Sequence, residues 1–109
     1  MGPGVNLAGA NLAFAGLYGE DLTGFNLAGA NLTGANVLIA NLTGVNLSAA
    51  NLTRADLRFA RLFGTNFTGA NLTNARLDNA FTTGWITTGA IWSNTTCPNG
   101  AIVTSPATC

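Results

Sequence analysis

Large apolar residues recur at every fifth position of this chain and hold phase for seventy residues: Leu7, Leu12, Leu17, Leu22, Leu27, Leu32, Val37, Leu42, Leu47, Leu52, Leu57, Leu62, Phe67, Leu72 and Leu77. Two residues before each stands a small one, most often Ala, and just before each usually stands Asn or Asp. The frame is Ala-Asn-Leu-Thr-Gly. An amphipathic helix spaces its apolar residues by three and four, and a half-buried strand by two. A spacing of five sustained over many cycles fits neither, and fixed-period self-similarity calls for a repeat architecture.

A second period of twenty runs through the small position. Val5, Phe25, Val45, Thr65 and Trp85 form a column without Ala, whereas Ala10, Ala30, Ala50, Ala70 and Ala90 form a column of Ala alone. One side of the object thus differs from its neighbours, which requires residues twenty apart to stack. Four five-residue units then make one turn of a coil.

These Ala-Asn/Asp-Leu-x-x units, over residues 5–92, resemble the pentapeptide-repeat family. The resemblance implies an all-β fold: a right-handed quadrilateral parallel β-helix, or solenoid, here of about four and a half coils. In that fold the central Leu and the small residue two before it point inward, and the other three positions point outward. The expected domain organisation is a repeat β-helix over 1–92 and an irregular C-terminal cap over 93–109. After Leu77 the pattern decays: Thr82 and Thr87 take the Leu position, and Phe81, Ile86 and Ile91 take the Asn position. Trp85 and Trp92 are expected inward. The tail is expected to fold over the last coil and to pack against Phe81, Ile86 or Ile91. The segment from Ala90 to Gly100 resembles the tail of exported bacterial members.

Composition narrows the function. Four Arg balance four acidic residues, and there is no Lys or His. Zero net charge leaves no electrostatic footprint for nucleic acid or an anionic membrane. No apolar run approaches a membrane span. Without His, a Ser-His-Asp or Cys-His arrangement is impossible. Glu20 and Asp21 point to opposite sides of the wall, so they cannot act as an acid/base pair. No spacing suits a metal site or cofactor, and no small-molecule substrate is evident, so the expectation is a protein that is not an enzyme. Cys97 and Cys109 lie close together in a loop-rich tail and are expected to form one disulfide. That places the protein outside the reducing cytosol, secreted or periplasmic. No basic-then-apolar leader opens the chain, so any signal peptide has been removed or was never there. Met1-Gly2-Pro3-Gly4 reads as an added start as readily as a natural one.

The candidate sites are breaks in the repeat. Phe14, Tyr18, Leu38, Ile39, Phe59 and Phe63 are bulky outward residues, of which the first five cluster on one side at the twenty-residue period, joined there by Arg54, Arg58 and Arg61. An apolar patch rimmed by Arg reads as a surface for a protein partner or for self-association. Glu20 stands at an inward position of the first coil and is a candidate contact at an end-to-end interface. Arg58 with Asp78, and Asp56 with Arg76, lie twenty apart and are expected to pair between coils as structural ion pairs. The Asn columns are expected to form ladders along the axis.

The favoured function is a non-enzymatic structural or interaction module. The alternative is a β-helix that stacks end to end into dimers or filaments. A third reading comes from the family, whose gyrase-protecting members resemble B-form DNA with a strongly acidic surface. This chain departs from them in its few coils and lack of acidic excess.

Overall fold

The computed structural model describes residues 4–109; Met1, Gly2 and Pro3, at the head of the expected 1–92 repeat unit, lie outside them. Every isolated parallel bridge among the described residues joins positions twenty apart, from Asn6↔Asn26 to Arg76↔Thr96. Phe25 therefore stacks beneath Val45, and both are buried. The rungs repeat one scheme. The amide of each central residue donates upward, as from Leu7 to the Asn26 carbonyl at 2.8 Å, and the Asn in the next coil donates back down, as from Asn26 to Val5 at 2.9 Å.

The frame Ala-Asn-Leu-Thr-Gly is legible position by position. Each corner is a tight turn in which the residue after Gly donates to the central Leu carbonyl, as from Ala10 to Leu7 at 3.0 Å. The third residue of that turn has positive φ, as Gly9 does at 70°, a demand that favours Gly. The Asn two residues upstream of the second turn residue closes the corner. Its Oδ1 accepts the amide two positions on, as from Ala8 to Asn6 at 3.1 Å. Where that position is Thr, its hydroxyl also donates to the same oxygen, as from Thr33 to Asn31 at 2.7 Å. These are Asx turns, and they correct the expectation of Asn ladders: each Asn is spent on its own corner. Asn94 to Asn74, at 2.8 Å, is the link of that kind between coils among the described residues.

Inside, Leu and Ala columns from Leu22 to Leu77 are buried. Thr65 interrupts them without penalty because its hydroxyl donates to the Leu42 carbonyl at 2.7 Å. The first coil is different: Val5, Leu7, Leu12 and Leu17 are only half-buried. At the other end Phe67, Trp85 and Trp92 pack in sequence, with ring centroids 5.8 and 6.0 Å apart.

Backbone stacking continues past residue 92. Thr95 is buried in the Ala column and its hydroxyl bonds to Leu72 at 2.7 Å, while Leu77 and Asn79 donate to the carbonyls of Thr96 and Pro98. Two short strands follow, β1 (Thr95–Thr96) and β2 (Ile102–Val103), paired antiparallel. Cys97 and Cys109 are joined in a disulfide. The sequence leads one to expect that this tail packs against Phe81, Ile86 or Ile91. They stand half-exposed on the outer wall, because they occupy the outward Asn position. Val103 packs against the core, and the Ser105 amide donates to the Trp92 carbonyl. No helix among the described residues is long and apolar enough to cross a membrane.

Candidate functional site: one side of the coil

The four corners of the coil share one backbone conformation but not one residue type. One corner column is all glycine: Gly4, Gly24, Gly44, Gly64 and Gly84. A second is glycine except for Ala49. The remaining two columns are mixed: Phe14, Gly34, Arg54, Asn74 and Asn94 in one, and Gly19, Ile39, Phe59 and Asn79 in the other, the non-glycine members all with φ between 49° and 63°. Asn tolerates this region, but for other L-residues the left-handed backbone costs about 1–2 kcal/mol each. For a β-branched residue such as Ile39 it is a genuine outlier. Four large side chains are therefore held at strained positions, and all four belong to the sequence-predicted patch.

These two corners flank one wall, the one whose outer strand carries Gly16, Asn36, Asp56 and Arg76. Phe14 is 71% exposed and lays its ring edge over Gly34 in the coil above. A Cβ at Gly34 would meet that ring at 2.5 Å. Along the far corner the ladder aligns Tyr18, Leu38, Arg58 and Asp78 in one column, with Ile39 and Phe59 beside it. Tyr18, Ile39 and Phe59 are each about half-exposed, and Leu38 is half-buried. Phe63 and Arg61 lie round this corner on the adjoining wall. There Phe63 packs on Phe81, with ring centroids 6.0 Å apart. Phe81 thus extends the patch, and its signal in the sequence was its place twenty residues after Arg61 in a column that otherwise favours Asn and Asp.

The ion pairs differ from those expected. Arg58 closes on Asp56 at 2.8 Å and Arg76 on Asp78 at 2.9 Å, each within one coil. The reason is local. Asp56 and Arg58 flank the inward Leu57, so both point outward from one strand. The Arg58 amide already holds Asp56 Oδ1 at 3.1 Å, which presents the carboxylate to the Arg58 Nε and Nη2 donors. Asp78 remains close enough to add a smaller attraction to Arg58. The Arg58 hydrogen bond holds the Asp56 carboxyl below the ordinary aspartate range against the opposing effect of burial, and Arg76 does the same for Asp78. The Thr23 hydroxyl lowers Asp21 likewise. Among the described residues Arg54 and Arg61 make no ion pair, which leaves two free cations at the margins of the apolar surface. Glu20 is exposed at the rim of the first coil.

The wall is chemically plain. No group of three or more His, Cys, Asp or Glu is placed to hold a metal among the described residues. A cleft of about 270 Å³ does occur, between the tail and the last coil, beside Thr82, Trp85 and Val103.

Comparison with known proteins agrees with this geometry. The family model described as pentapeptide repeats matches residues 6–37 and 40–80. A pentapeptide repeat protein of the Arabidopsis thaliana thylakoid lumen is 34% identical over 85% of this chain and 65% of its own, with a TM-score of 0.83. HetL of Nostoc sp. strain PCC 7120, involved in heterocyst differentiation regulation, is 33% identical over 90% of this chain and 43% of its own, with a TM-score of 0.52. Rfr23 of the cyanobacterium Cyanothece 51142 is 25% identical over 92% of this chain and 85% of its own, with a TM-score of 0.69. The chain spans less than two thirds of the length of the first two. No curated protein matches it.

Proposed function

The chain belongs to the pentapeptide-repeat family, whose members fold as right-handed quadrilateral β-helices, and on that premise we propose that it is a non-enzymatic protein-interaction module acting through one side of its coil. The single observation that carries this is the placement of Phe14, Ile39, Arg54 and Phe59 at left-handed corners, where glycine, Asn or, once, Ala serves elsewhere. Backbone strain of this kind persists where it is used. The partner presents an apolar surface with carboxylates at its margin, to meet Arg54 and Arg61. The module comprises about four and a half coils, with residues 93–109 as a C-terminal cap. The Cys97–Cys109 disulfide supports a compartment outside the reducing cytosol. Balanced charge weighs against DNA mimicry.

The test is photocrosslinking in the native host from a reactive residue placed at position 39 or 59, compared with one at position 64 or 69. Adducts from the first pair alone are expected. Equal yields from both pairs, or none, overturn the reading.

A second reading, end-to-end self-association, is favoured by the half-buried inward residues of the first coil and by Glu20 at its rim. Light scattering against concentration tests it: a constant monomer mass removes it.

A further inference from the structure

The patch side of the coil carries both members of a charge complement and does not join them. Asp21, Asn41 and Arg61 stack in one column, each bridged to the next. The carboxylate and the guanidinium thus stand two rungs apart, roughly 10 Å at strand spacing. Among the described residues neither makes an ion pair, nor do Glu20 beside Asp21 or Arg54 at the other corner. Asp21, Glu20 and Arg61 are all exposed.

The two corner columns are arranged in the same sense. One reads Phe14, Gly34, Arg54 and the other Gly19, Ile39, Phe59. In each, a feature of the first coil has its counterpart in the third. Phe14 presents an aromatic ring, 71% exposed, and Arg54 a free cation. Gly19 leaves a gap, with nothing within 4 Å of a built Cβ, and Phe59 projects. The second coil supplies an uncharged middle of Leu38, Ile39 and Asn41. In the fourth coil the corners return to Asn74 and Asn79, so the large corner side chains are centred on the second coil.

A two-fold axis lying across the wall at the level of the second coil matches these features. It turns a second copy end for end and keeps each column opposite itself. The first coil of one copy then faces the third coil of the other. Asp21 meets Arg61 of the second copy, and Arg61 meets its Asp21. Phe14 meets Arg54 of the second copy, a cation over an aromatic face. Phe59 enters the gap at Gly19, and Ile39 meets Ile39 at the axis. A two-fold contact must be self-complementary in this way. Copies packed on the same wall without the reversal set Asp21 against Asp21 and Arg61 against Arg61, which like charge disfavours.

Resting on the side-wall reading of function, we infer that the occupant of that wall is a second copy of this chain, antiparallel to the first and joined to it by two Asp21–Arg61 pairs. The carboxylates required at the margin of the partner are then Asp21 and its neighbour Glu20.

The test is sedimentation of the full chain with its disulfide intact. The parent is expected to show a monomer–dimer equilibrium. Arg61→Asp and Asp21→Arg each set like charges opposite one another and are expected to weaken dimerisation at least about tenfold. Both positions are exposed, and this column already holds Arg at 61, so the coil tolerates the exchange. An equimolar mixture of the two variants restores both pairs and is expected to dimerise to within about threefold of the parent. A photoreactive residue at position 39 of the otherwise unchanged chain is expected to link to residues 38–39 of the second copy. The inference is overturned by a parent that stays monomeric up to about millimolar concentration, by a dimer that neither variant weakens, by a mixture that is not restored, or by links from position 39 to any other region of the chain. If the parent is monomeric and position 39 links to a different protein in the host, the homodimer falls and the side-wall reading stands. If position 39 links to nothing, both fall.

Discussion

The glycine corners and the side-chain corners of this coil are built on the same turn, with φ of 62° at Gly64 and 63° at Ile39. The difference between them is therefore not structural need. A corner that only has to turn takes Gly, and five of five do so in the column from Gly4 to Gly84. A corner that holds Phe, Ile or Arg in the same conformation carries strain that folding does not require. Two corners of that second kind flank a single wall, and this locates a surface by energetics as well as by exposure.

The comparison assumes that the interior is alike beneath both kinds of wall, and the largest expected effects test that. Leu57 lies under the patch wall and Leu47 under a wall whose corners, Gly44 and Ala49, carry no large side chain, and both are completely buried. Leu57→Ala and Leu47→Ala are each expected to lower unfolding free energy by about 3 kcal/mol, from lost transfer energy and a cavity. Urea denaturation measures both. A much larger cost at Leu57 would mean that the patch is part of the core and not a surface feature.

The corners themselves come next. Nothing lies within 4 Å of a Cβ built at Gly64, so Gly64→Val isolates the backbone term. Relief of unfolded-state entropy offsets part of a left-handed penalty of about 1–2 kcal/mol, which leaves a net loss of about 1 kcal/mol. Ile39→Gly reverses the exchange and is expected to gain about 0.5 kcal/mol while removing crosslinking through that corner. A variant that is more stable and less active is the signature of a site held against stability. If Ile39→Gly destabilises, the side chain earns its place by packing, and the strain argument fails.

Much of this was legible in the sequence because the repeat is rigid. The five-residue period placed Leu57 and Phe67 inside, and the twenty-residue period put Phe25 under Val45. The patch residues were found by the same arithmetic. What the arithmetic could not supply was the local hydrogen bonding. It treated columns as contacts, so it paired Arg58 with Asp78 and let Asn stack on Asn. In the structure, bonds between residues two apart win, because the strand already holds such side chains side by side and the corner amide fixes the acceptor. The strain at Phe14, Ile39 and Phe59 was also hidden, since a sequence shows which residue replaces Gly but not that φ stays positive. The same limit applies at Phe81, Ile86 and Ile91. Their apolar character suggested burial, whereas the outward register of their position decided otherwise.

The smallest expected effect concerns the charges on the wall between the side-chain corners. Asp56 and Asp78 have folded-state pKa values below their unfolded ones, because hydrogen bonds from Arg58 and Arg76 favour the carboxylates. A lowered pKa contributes stability above the unfolded value, near 4 for Asp, and that contribution is lost as pH falls through the folded value. Thermal stability is thus expected to be flat across neutral pH and to decline only below about pH 4. Both pairs are partly exposed, so the decline is slight. Asp56→Asn separates the two jobs of this residue. Asn serves the same Asx turn in most other units, so the corner survives, while the ion pair is lost. The variant is expected to be marginally less stable at pH 7, to differ less from the parent as the pH falls below about 4, and to be unchanged in crosslinking from position 39. If it crosslinks less, Asp56 and Arg58 contact the partner as well as each other, and the site extends from the two corners across the wall between them.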